Sequence, residues 1–185
     1  MKRVVLTFGL LSGAVSSAMM IAAVPFADRI GFDRAEIIGY TSMILSFLLV
    51  FFGIRSYRDN VAGGALTFSK AFQIGLLITV VSCLCYVVTW EILYFNFMPD
   101  FLEKYSRYMV EHAKAAGATA EAINAQVEQL KDFQKVYNNV FYNAAITFIE
   151  PLPVGLVVTL FSAAILKRRP SNTQNLPQNG RPLRA

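Results

Sequence analysis

The sequence predicts an all-α integral membrane protein, with four transmembrane helices and a helical hairpin on the outer side between spans 3 and 4. Three observations carry that prediction. Hydrophobic residues make up 55% of the 185 and charged residues only 16%, where soluble domains run near ~45–50% and ~25%. The mean hydropathy of +0.47 reflects more apolar surface than so small a globule can hide. The apolar residues also gather into four charge-poor runs, each close to the ~20 residues a helix needs to cross a hydrocarbon core about 30 Å thick. A disordered chain, a disulfide-stapled miniprotein and a coiled coil are excluded by the same composition, and a soluble enzyme has no support in it.

Taken in order, the first run is Val4–Phe26, free of charge. Lys2 and Arg3 before it imitate a secretory signal, but its apolar run is too long for one, so it is read as an uncleaved first span. The second is Ile37–Ile54, also uncharged, reached through a short outer loop at Ala27–Glu36. An inner loop, Arg55–Lys70, follows; Gly63-Gly64 marks a turn and Thr67 or Ser69 can cap the next helix. The third span is Ala71–Met98, interrupted by Glu91, and the fourth is Val140–Leu166, interrupted by Glu150.

Between spans 3 and 4, Pro99–Asn139 carries helix signals. Asp100 can cap a helix with Glu103 three residues on, and Phe101, Tyr105, Tyr108 and His112 fall on one face. Gly117 stops that helix and Thr119 can cap the next. Ile123, Val127, Leu130, Phe133 and Val136 then form a stripe at three-to-four spacing. Because the stripe meets no breaker, the fourth helix is expected to begin near Ala120 and to project about 30 Å beyond the bilayer. A hairpin capping the bundle is expected; the alternative is an amphipathic helix lying on the outer surface. The final segment, Pro170–Ala185, is polar and aperiodic, and is expected to be a disordered cytoplasmic tail.

Charge sets the orientation. With the N-terminus inside, the inner segments hold ten Lys and Arg residues and one acid, while the outer segments hold seven and nine. That asymmetry is the positive-inside pattern, so both termini are expected in the cytoplasm. The formal net charge of +5 therefore reflects topology, and no nucleic acid is expected as a partner. Membrane lipids are; Arg181 and Arg184, with Lys167–Arg169, suit anionic headgroups.

Glu91 and Glu150 are the only charges inside the spans. Counting rise per residue from Lys70 and Lys167 puts them about 31 Å and 25 Å from the inner boundary. Both thus stand in the outer part of the membrane, either sharing a site or facing apart. Pro151 and Pro153 deprive the carbonyls of Thr147 and Ile149 of their helical donors. Glu91, Glu150 and Thr147 are accordingly the candidate intramembrane polar site, and Pro151 and Pro153 the candidate hinge. A carboxylate beside freed carbonyls suits a cation or proton relay, or else a hinge whose glutamate ties helices together. Glu91, beside Trp90 and near Tyr94, also suits a simple interfacial carboxylate.

The remaining features are plainer. Gly9, Gly13 and Ser17 form a small-residue ridge that suits helix packing within the bundle or a dimer face. Cys83 and Cys85 lie two apart inside an apolar run and read as packing residues. A single histidine, His112, supports no familiar zinc motif, though it could join Glu91 and Glu150. No nucleophile elbow, phosphate loop, dinucleotide fingerprint or paired CxxC is present. Metal, cofactor and catalytic residues are therefore expected to be none.

The run Tyr57-Arg58, Gly64-Ala-Leu-Thr67-Phe68-Ser-Lys70-Ala71-Phe72 and Gly75, then the helical insertion, Glu150-Pro151, Gly155 and Lys167-Arg168, resembles the bacterial four-span family catalogued as domain of unknown function 4199. The likeness covers roughly Lys2–Arg169. It implies four spans in a bacterial inner membrane, and it brings no activity, substrate or cofactor. The function expected is a non-enzymatic, self-associating scaffold or accessory subunit, as a homo-oligomer or with another envelope membrane protein. The rival is a small oligomeric proton- or cation-coupled transporter using Glu150 and perhaps Glu91, and an intramembrane lipid-modifying enzyme is a third class.

Overall fold

The computed structural model describes residues 1–168; the expected tail at 170–185 lies outside them. Eight α-helices follow in order among the described residues: α1 Lys2–Ala23, α2 Ala27–Ile30, α3 Phe32–Asn60, α4 Phe68–Phe97, α5 Phe101–Ala115, α6 Ala120–Tyr137, α7 Val140–Ile149 and α8 Leu152–Leu166. A 3-10 turn at Val24–Phe26 joins α1 to α2. Four stretches are long and apolar enough to cross a membrane: α1, α3, α4, and α7 with α8 taken together. The chain is a multi-pass membrane protein with a helical hairpin, α5 and α6, between its third and fourth spans.

Helices α3 and α4 pack directly on each other, with α1 against both on one flank and α8 against both on the other. Val50, Ile54, Ile74 and Ile78 at the centre are completely buried. Much of the remaining apolar surface is exposed, including Leu84 and Val88 on α4 and Phe161 and Ile165 on α8. Such an inverted distribution is what a lipid solvent permits.

Several expected boundaries shift. The loop expected at Ala27–Glu36 is largely helical: α2 occupies most of its first half, and α3 already begins at Phe32 after Gly31. The inner loop is shorter than Arg55–Lys70, because α3 runs on to Asn60 and α4 starts at Phe68. Gly63 and Gly64 take positive φ there, which L side chains resist, and the Thr67 hydroxyl caps α4 by accepting from Lys70 N at 3.3 Å. The loop then pairs with the end of α8: Leu66 N donates to Arg168 O at 2.9 Å and Arg168 N to Leu66 O at 2.8 Å. One isolated antiparallel bridge thus closes the basic end of the bundle.

The hairpin holds two further corrections. Asp100 does not cap α5 through its side chain; its carboxylate pairs with Lys104 at 3.0 Å instead. Helix α6 does not continue into the fourth span. It ends at Tyr137, and the Asn139 side chain accepts from Phe141 N at 3.0 Å and Tyr142 N at 3.3 Å. An asparagine offers the backbone this local alternative and so starts a new helix where apolar periodicity alone would run on. The Thr119 cap forms as expected, accepting from Ala122 N at 3.2 Å.

The hairpin packs onto the bundle through aromatic rings. Phe101 of α5 meets Trp90 edge-on at 5.2 Å, and Phe32 of α3 contacts Phe101, Tyr105 and Tyr108. The Tyr108 hydroxyl donates to Asp33. Tyr137, at the end of α6, is buried against Tyr94.

Candidate functional site: a polar ladder between the third and fourth spans

On α4, Tyr86, Trp90 and Tyr94 are spaced four apart and so share a face. On α7, Asn143 and Thr147, with Glu150 just beyond, follow at i, i+4 and i+7 and share another. These two faces meet. Tyr94 donates its hydroxyl to Asn138 Oδ1 at 2.7 Å, and Trp90 Nε1 donates to Asn143 Oδ1 at 3.0 Å. Tyr86 on α4 and Glu150 at the break of the fourth span continue the two faces one step further. Residue numbers rise on one helix as they fall on the other, as two antiparallel helices require.

Asn143 is the centre of this ladder. It is completely buried, and its Oδ1 also accepts from Thr147 Oγ1 at 3.1 Å. An indole N–H can only donate, so Trp90 fixes which end of the amide faces it. The amide nitrogen Nδ2 is left buried with no hydrogen-bond partner. The Tyr137 ring meets Tyr94 edge-on at 5.4 Å and packs in one cluster with Trp90, tying the end of α6 to the same place. Burial is the main reason the Tyr137 phenol is held above its ordinary range.

Of the candidate polar-site residues, Glu150 and Thr147 belong to this ladder. Glu91 does not. Its two carboxylate oxygens are shielded and have no hydrogen-bond partner among the described residues. Glu36 of α3 stands at a similar height to Glu150, 19 residues before Arg55 where Glu150 is 17 before Lys167. The fourth span breaks at this level, α7 ending at Ile149 and α8 starting at Leu152, with Pro151 buried in the break.

Beside and below the ladder, the hydroxyls of the helix interfaces are spent on each other and on backbone. Ser12 donates to Ser46 O at 2.9 Å, Ser82 to Ser12 Oγ at 3.0 Å and Thr89 to Ser17 Oγ at 2.7 Å. Thr79 and Thr159 share a bond at 3.2 Å between α4 and α8. A gap lined by Ser16, Ser46, Ser82, Tyr86 and Pro151 is too narrow to admit a water molecule. The Gly9, Gly13 and Ser17 ridge faces α4: a Cβ on Gly9 would lie 2.7 Å from Val81 Cβ, and one on Gly13 2.5 Å from Cys85 Cβ. The ridge is therefore a packing face within one chain.

Cys83 is buried and Cys85 half-buried, both as free thiols. His112 is exposed on α5, its ring against Tyr108. Among the described residues no group of three or more His, Cys, Asp or Glu side chains is placed to hold a metal ion.

Sequence reasoning missed Asn143 and Tyr86. Asn143 stands out as the sole amide in the apolar helix Val140–Ile149, but neither residue matches a chemical motif. Thr147 was singled out for its freed carbonyl, whereas its hydroxyl makes the contact.

Residues 7–168 match the family described as protein of unknown function (DUF4199). That stretch takes in all four spans and the hairpin. The chain belongs to the DUF4199 family. No curated protein and no solved structure matches it.

Proposed function

We propose that this DUF4199 protein is a non-enzymatic scaffold or accessory subunit of a bacterial inner membrane, self-associating or joined to another envelope membrane protein, with both termini cytoplasmic. The observation that carries this reading is the closed interior. Interface hydroxyls bond across the helices, glycines bring backbones into contact, and the gap at the centre is too narrow for water. A transport path needs polar groups that a passing ion can borrow, and the hydroxyls between α1, α3, α4 and α8 are engaged in holding helices together. The hairpin supports the same reading, since it adds a packed, charged surface outside the membrane and α5 and α6 carry ion pairs on their exposed faces.

The rival reading, a proton- or cation-coupled transporter, draws on one specific observation: the ladder leads to Glu150, a carboxylate at the break of the fourth span. Reconstitution in vesicles separates the two. The full chain and its Glu150→Gln variant are expected to match protein-free vesicles in pH- and cation-driven dye assays. A flux carried by the unmodified chain and lost in Glu150→Gln would overturn the scaffold reading.

A further inference from the structure

The turn between α6 and α7 bounds a shallow, open groove of about 520 Å³ that the ladder does not use. Its lining divides by chemistry. Val136, Phe141 and Ala145 make the apolar part, and Lys135, Asn139 and Tyr142 bring polar atoms. Phe141 is 86% exposed in the bare protein, an extreme value for an aromatic ring.

The position of the groove says what surrounds it. Asn139 lies 28 residues above Lys167, about 42 Å at the rise of an α-helix. A bilayer with its headgroups is about 40–45 Å thick. The polar rim therefore stands at the level of lipid headgroups, and Phe141, Tyr142 and Ala145 point the groove toward the acyl region below. Exposed aromatic rings at this height are the ordinary interfacial anchors of a span.

The charge at the rim narrows the lipid. Lys135 Nζ bonds Asp132 Oδ1 at 2.9 Å, and both side chains are about three-quarters exposed. The pair is neutral in sum and presents one cation and one anion side by side. An anionic headgroup would meet Asp132 as well as Lys135, and a cationic amphiphile would meet Lys135. A zwitterion with a phosphate and a primary ammonium matches both. Asn139 spends its Oδ1 on capping α7, which leaves its amide N–H groups to donate to a phosphate or ester oxygen.

We infer that this groove binds one zwitterionic aminophospholipid, its phosphate at Lys135 and Asn139, its ammonium at Asp132, and an acyl chain along Phe141 and Ala145. The site lies on the hairpin end of the fourth span and is independent of whether the protein scaffolds or transports.

Native mass spectrometry of the full, delipidated chain in detergent tests this, titrating phosphatidylethanolamine, phosphatidylglycerol and phosphatidylcholine in parallel. The expected result is a one-lipid adduct that forms at the lowest concentration with phosphatidylethanolamine. Lys135→Glu, an exposed change that leaves packing intact, should weaken that adduct about fivefold, the loss of roughly 1 kcal/mol of headgroup contact. Ala145→Trp, which fills the groove, should weaken it at least as much. Tighter binding of phosphatidylglycerol, or an unchanged phosphatidylethanolamine adduct in Lys135→Glu, overturns the proposal. A dimer in the lipid-free protein that Ala145→Trp abolishes also overturns it, because the groove would then be covered by a second copy.

Discussion

Gly155 is where the bundle is least able to accept a single added carbon. A Cβ at this position would lie 2.3 Å from Thr79 Cγ2 and 3.1 Å from two ring carbons of Phe47. Carbon atoms in good contact stand about 3.5–4.0 Å apart, so the shortfall against Thr79 exceeds an ångström. Neither neighbour can yield cheaply. Thr79 is completely buried and bonded to Thr159 at 3.2 Å, and Phe47 is buried between α3 and α8. Gly155→Ala therefore forces α8 away from α4. Overpacking of this kind costs about 1–3 kcal/mol, and a lost interhelical hydroxyl bond adds about 0.6–1.7 kcal/mol, so a loss of about 2–4 kcal/mol is expected.

The assay is equilibrium unfolding in mixed micelles, followed by the fluorescence of Trp90. The chain has one tryptophan, and its ring sits against Phe101 at 5.2 Å and Tyr94 at 5.8 Å, so its signal reports the assembled bundle and hairpin. Thr79→Ser supplies the control, because it removes the clashing methyl and keeps the hydroxyl. In the Gly155→Ala background it should recover most of the lost stability. A Gly155→Ala protein within about 0.5 kcal/mol of the parent, the range of inconsequential surface changes, would refute the packing argument. So would a Thr79→Ser change that recovers nothing.

Two other expectations follow from the hairpin end. Trp90→Phe removes the donor to Asn143 and should cost about 1–2 kcal/mol, with unfolding followed by circular dichroism because the variant has no tryptophan; in Asn143→Leu protein the same change should cost clearly less, and equal costs in both backgrounds would show that the bond contributes nothing. The Tyr108 phenol, which donates to Asp33, is pushed up to about 12 chiefly by that bond. Its neutral, donating form is complete below the ordinary phenol value near ~10 and is lost as pH rises through about 12, so the tether should hold at pH 9 and release above pH 11. A spin label at Ala115→Cys should gain mobility over that window, and Tyr108→Phe should be mobile already at pH 9; identical profiles in the two proteins would remove the tether from the account.

The four spans were legible because lipid demands uninterrupted apolar helix, and a linear count of residues measures that directly. The hairpin was legible at Gly117 and Thr119 for a similar reason: a stop and a cap act within a few residues of themselves. Asn139 marks where such reading failed. Its side chain could equally have turned to solvent inside a continuing helix, and only the finished chain path shows it capping α7.

The sequence alone settled the composition of each span, the basic end, and how many residues separate Glu91 and Glu150 from it, because these depend on distance along one helix. Direction around the helix axis is a different quantity, set by which neighbours pack where. Only the tertiary structure decided that Tyr94 bonds Asn138, that Gly9 and Gly13 face α4, and that Trp90 bonds Asn143. Each of those contacts joins residues far apart in the chain, and four helices of similar composition can be arranged in several ways until close packing selects one.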